Sequence, residues 1–77
     1  MEKNTYKTKH LAESAVLILR EIKLVEIEKT NKICWFIFEN KEKCEEISND
    51  FFFGNLLVNA RDYYEVLTRL KNRIFAI

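Results

Sequence analysis

Apolar and polar residues alternate along this chain with two different periods, one helical and one of two residues. In "KHLAESAVLILREIK", Leu11, Ala12, Ala15, Val16, Ile18, Leu19 and Ile22 fall on one broad face of a helix. Thr8 is placed to cap it, because its hydroxyl can accept from a free amide two or three residues on. Leu17 breaks the pattern, falling among His10, Glu13, Ser14 and Glu21 on the polar side. "LVEIEKTNKICWFIFEN" then reads as a β-hairpin. Val25 and Ile27 alternate with Glu26 and Glu28, as in a strand with one wet face. "KTNK" supplies the turn, with Asn31 able to enter the left-handed region. The returning strand, Ile33 to Phe38, is apolar on both faces: Ile33, Trp35 and Ile37 point one way, Cys34, Phe36 and Phe38 the other. It is the central strand, or one covered on both sides.

Asn40 caps a second helix, Lys41 to about Phe52. Its core stripe is Cys44, Ile47 and Phe51, with Ser48 and Phe52 at the margin. Phe53 projects with Glu42, Glu46 and Asn49, and Gly54 ends the helix in the left-handed conformation. Two of the three consecutive phenylalanines are thus core and Phe53 is surplus; a helix ending one residue earlier would turn Phe53 inward. "NARDYYEVLTRLKNRIFAI" is a third helix, capped by Asn59 with Asp62 three residues on. Tyr63, Leu67, Leu70 and Ile74 form its inward stripe, flanked by Ala60, Tyr64 and Val66. A hairpin alone leaves a sheet edge open, so a short third strand is expected from "YKT" near the start or "LLV" after the glycine. The chain reads as one α+β domain over residues 1–77, in the order α-β-β-α-α with that extra strand.

An apolar share of 48% is ample for one core, but a domain this small has a thin stability margin, which favours self-association or docking on a partner. The net charge of +1 lacks the basic excess of a dedicated nucleic-acid binder. The charge is unevenly spread, however. Lys3, Lys7 and Lys9 outweigh Glu2 at the start, residues 39–50 are net acidic, and Arg69, Lys71 and Arg73 gather in the last helix. The longest apolar run, "ICWFIF", is far short of the roughly 18 residues of a membrane span. Cys34 and Cys44 do not make a secreted disulfide framework, so the expected location is the cytoplasm with both thiols reduced.

Catalytic constellations are missing from the pattern. Nucleophilic cysteine chemistry would need His10 beside Cys34 or Cys44, and both cysteines fall on apolar stripes, where the thiol behaves as a small hydrophobe. The same three residues lack metal-ligand spacing, and a single glycine leaves no phosphate-cradling loop. Neither an enzyme nor a cofactor is expected. Two binding readings remain. In the first, large apolar side chains left over by the periodicity, Leu17 and Phe53 together with Trp35, form an interface for a protein partner or a second copy of the chain. In the alternative, Lys3, Lys7, Lys9, Arg61, Arg69, Lys71 and Arg73 neutralise the phosphates of a single-stranded nucleic acid while Tyr6 and Tyr64 stack on bases. That requires the basic termini to converge through packing of the first and last helices.

Tyr6 and Thr8, Ala15, Phe36 and Phe38, Gly54, Val58, Asn59, Ala60 and Arg61, Leu70 and Lys71, and Ile74 with Phe75 follow one another in an order that resembles a small family of bacterial and phage-associated domains of unknown function. The resemblance spans nearly the whole chain. It implies a short stand-alone protein of phages or mobile elements with no catalytic residues to carry over, and a role in docking on a host or viral complex, including inhibition of a defence nuclease. It also draws attention to Arg61, since a cation in the first turn opposes the helix dipole. Either Asp62 or Glu65 pairs with it, or it reaches a ligand.

Overall fold

The computed structural model describes residues 4–76; Lys3 lies outside them. The elements are β1 (Thr5–Thr8), α1 (Leu11–Leu19), β2 (Leu24–Thr30), β3 (Ile33–Glu39), α2 (Lys41–Phe52) and α3 (Ala60–Ala76). The strands form one antiparallel sheet in the order β1-β3-β2. The third strand is therefore the "YKT" segment, whereas Leu56 to Val58 lie in the connection between α2 and α3. β3 is central, as its apolar composition requires, but helices cover only one of its faces. Phe36 and Phe38 are buried on that face, while Ile33, across from Thr30 of β2, is 40% exposed.

Local chemistry sets most of the boundaries. Asn31 and Lys32 take φ of 50° and 71°, the two left-handed residues that a two-residue hairpin turn demands. Asn40 caps α2, its side chain accepting from Lys43 N–H, and Asn59 caps α3 by accepting from Asp62 N–H at 3.0 Å. Gly54 closes α2 at φ 76°: its N–H donates to Phe51 O and that of Asn55 to Asp50 O, the paired bonds of a Schellman cap. α1 ends in the same arrangement with Glu21 in the glycine position at φ 64°, Glu21 N–H donating to Ile18 O and Ile22 N–H to Leu17 O. Thr8 is not the α1 cap. It ends β1, and His10 takes the cap position without a side-chain bond.

Three departures from the simple periodic reading have separate local causes. α1 lies between α2 on one side and α3 on the other, so Glu13, Ser14, Ala15, Val16 and Leu17 are all buried in succession. Leu17 is fully buried rather than left on a wet face, and cannot be an interface residue of the folded domain. In β2, a bulge between Leu24 and Glu26 shifts the alternation. Leu24 and Ile27 pack on the core instead of Val25 and Ile27, and Val25 stays 43% exposed. In α2, Phe51 packs on the core but Phe52 leans outward, 59% exposed, with its ring edge-on to those of Phe51 and His10. One of the three phenylalanines is core, not two.

Candidate functional site

The polar residues of α1 that the helical pattern assigns to solvent converge inside the molecule. Glu13, only 1% exposed, accepts hydrogen bonds from three hydroxyls: Tyr6 at 2.5 Å, Thr8 at 2.6 Å, and Ser48. Tyr6 and Thr8 come from β1 and Ser48 from α2, so one carboxyl group joins three elements. Thr8 also accepts from His10 N–H at 3.2 Å, which ties the strand to the start of α1. No buried side-chain N or O among the described residues lacks a partner, and the cluster thereby meets the requirement for burying so polar a group. Burial raises the Tyr6 phenol above its ordinary pKa, and the bond to Glu13 adds to the rise. Burial likewise pushes the nearby Cys44 thiol up to about 11, helped by the charge of Glu13. Sequence reasoning missed this cluster. Leu17, one turn beyond Glu13 on the same side, is the signal that could have found it: a leucine on a polar face says that face is not wet.

Beside the cluster, at the end of β1, is an open depression of about 360 Å³ lined by Tyr6, Lys7, Thr8, Lys9, His10, Glu13, Trp35 and Phe52. Its walls join the two faces of the sheet edge. Trp35 belongs to the uncovered face and Phe52 to α2. Lys7 reaches across the indole, its Nζ 5.2 Å from the ring centroid and 3.3 Å from Glu28 Oε1, so the aliphatic stem of the lysine screens part of an exposed aromatic. His10, the one histidine, spends its ring on Phe52, and Cys44 Sγ donates to Glu39 O at 3.4 Å. Cys34 is half-buried in β3. No group of three metal-ligating side chains occurs among the described residues.

Of the apolar interface candidates, Phe53 is 79% exposed and Trp35 is half-buried on the open sheet face. Phe52, the chain neighbour of Phe53, lines the depression together with Trp35, whereas Phe53 lies outside its lining. Leu57 and Val58 of the α2–α3 connection, 87% and 38% exposed, line a separate depression with Leu19, Arg20, Asn59 and Asp62. Among the described basic candidates, Lys7 is kept apart from those of α3. α1 and α3 do pack against each other, but Lys7 lies across from Ile37 on the uncovered sheet face, opposite the helices. Tyr6 is held by Glu13, and Arg61 pairs with Glu65 at 3.6 Å. Arg69, Lys71 and Arg73 remain exposed on α3. Among the described residues no helix is long and apolar enough to cross a membrane.

Residues 3–76 match the model of a family described as a domain of unknown function (DUF5659). No curated protein and no solved structure matches the chain.

Proposed function

The chain belongs to the DUF5659 family, whose description assigns no activity, and we propose from its own surface that it is a non-catalytic binding protein that docks another protein. What supports this reading is that Phe52, well exposed, and Trp35 line one depression, with the still more exposed Phe53 next to Phe52 in the chain. Exposed large apolar side chains that cluster mark partner sites, whereas scattered ones carry no meaning. In the phage or mobile-element setting that the resemblance implies, a host defence complex is the first partner to try, with inhibition as the outcome. Arg69, Lys71 and Arg73, exposed on the same helix as Tyr64 and Phe75 at 67% and 86%, favour the second reading, a single-stranded nucleic acid on α3.

Affinity capture with the intact chain at low and physiological salt separates the two. A protein retained at both salt concentrations, lost from Phe53→Ala and kept by Arg69→Ala with Arg73→Ala, supports protein docking. Nucleic acid that dissociates steeply with salt and follows the arginines overturns it. Light scattering on the purified chain tests the remaining partner, a second copy. A dimer that Phe53→Ala converts to monomer assigns the surface to self-association.

A further inference from the structure

The backbone of β1 has an unused side. Asn40 N–H donates to Asn4 O at 2.9 Å, and on the other flank of β3, Glu39 N–H donates to Lys23 O at 3.1 Å. Residues of an antiparallel ladder address opposite neighbours in alternation, and the register places Tyr6 across from Phe38 and Lys7 across from Ile37. Asn4, Tyr6 and Thr8 therefore bond toward β3, while Thr5 and Lys7 turn their N–H and C=O groups outward. No strand among the described residues pairs with that edge. The opposite edge of the sheet differs, because the bulge in β2 interrupts it, a common way of discouraging pairing.

We propose that the free edge of β1 is a strand-addition site for an extended, acidic segment of the partner protein, with one of its apolar side chains seated in the depression between His10, Phe52 and Trp35. The inference rests on the protein-docking reading above and names the partner's chemistry. Main-chain hydrogen bonds to Thr5 and Lys7 supply affinity, and alternate side chains of the added strand supply specificity. Charge decides the occupant. In a two-fold antiparallel pairing of β1 with itself, Lys7 and Lys9 of one copy would lie near those of the other, and edge lysines are a recognised barrier to such pairing. Lys9 forms no ion pair among the described residues, so an acidic side chain on the incoming strand finds a cation there. The depression opens at the end of the same strand, where a side chain of the added segment would reach it.

The test is a selection of random peptides of about twelve residues on the immobilised full chain at physiological salt, followed by titration of the labelled protein with the best peptide, observed by NMR. Enriched peptides are expected to alternate Asp or Glu with apolar residues. Their binding should shift the amides from Thr5 to His10 and the Trp35 indole, and slow exchange of the Thr5 and Lys7 amides. Lys7→Pro removes a donor that β3 does not use, so the ladder is retained, and affinity should fall about tenfold or more. Lys9→Glu, at an exposed position that leaves the strand backbone intact, should lose the preference for acidic peptides. No enrichment, enrichment of basic peptides, or shifts confined to α3 would overturn the proposal. A captured partner that Phe53→Ala loses but Lys7→Pro keeps removes strand addition and leaves protein docking standing. A partner that neither substitution affects removes both.

Discussion

The hydroxyl of Ser48 donates to the carboxyl group of Glu13, joining α2 to α1 inside the core. Tyr6 and Thr8 of β1 donate to the same group, so Glu13→Ala leaves three hydroxyls without their acceptor. The expected cost is about 3–5 kcal/mol, most of the stability of a domain this small, where roughly 5 kcal/mol is the common lower range. Urea unfolding followed by circular dichroism should show the cooperative transition lost or moved close to zero denaturant. Ser48→Ala removes one donor and should cost about 1 kcal/mol, and Glu13→Gln, which keeps an acceptor oxygen, should fall between them.

Glu21, Lys32 and Gly54 all occupy the left-handed region, yet only one is glycine. A side chain there is strained by its Cβ. Glu21→Gly and Lys32→Gly should each stabilise the domain by about 0.5–1 kcal/mol, the second by creating the Asn-Gly pair favoured in such hairpins. Gly54→Ala should do the reverse by about 1 kcal/mol, although open space surrounds the position. Shifts of the thermal midpoint by a few degrees, roughly 4–8 °C per kcal/mol at this size, would register all three.

Cys44 and Tyr6 bind their protons more tightly in the folded chain than in the unfolded one, Cys44 at about 11 against an ordinary 9.0. A group raised in this way contributes stability that is complete below the unfolded pKa and lost as pH rises through the folded one. Stability should therefore decline from about pH 9 toward pH 11 as the unfolded thiol ionises first. Cys44→Ala should flatten that decline even where it lowers stability at neutral pH. Native Cys44 should also resist thiol reagents at pH 8 that modify the unfolded chain readily; prompt labelling would contradict its burial.

Trp35 is the one tryptophan, so fluorescence reports directly on the uncovered sheet face. Lys7→Ala should shift its emission to the red and increase quenching by iodide, because the lysine no longer screens the ring. The Lys7–Glu28 pair is itself well exposed, and its loss should change stability by less than about 1 kcal/mol. An unchanged spectrum would mean that the indole is shielded by something other than Lys7.

Where one physical signal governs a residue, the sequence pattern locates it. The caps at Asn40 and Asn59, the Gly54 stop, the Asn31 turn, the α+β class and the grouping of Phe36 with Phe38 on one strand face were all legible, because capping, left-handed φ and strand alternation act locally, but which face is inward was not. Phe53 was legible as a side chain that helical packing leaves over, but Phe52, placed at the core margin by the pattern, is left over with it. Leu17 and Glu13 were not, since a helical pattern assumes one dry face and α1 is covered from two directions. Val25 failed because a bulge inserts a residue without a compositional mark. The depression joining Phe52 to Trp35 depends on how a strand end meets a helix end, a relation between distant segments.

The sheet order also has a kinetic meaning. β2 and β3 are joined by a two-residue turn, whereas pairing of Thr8 with Phe36 closes a loop of roughly thirty residues. The hairpin is thus the local event of folding and the docking of β1 the late one, so substitutions in β1 should accelerate unfolding far more than they retard folding. Release of β1 alone strips Glu13 of Tyr6 and Thr8 while the hairpin stays whole. Hydrogen exchange is therefore expected to show the β1 amides opening together, with Ser48 of α2 alone left on the carboxyl group.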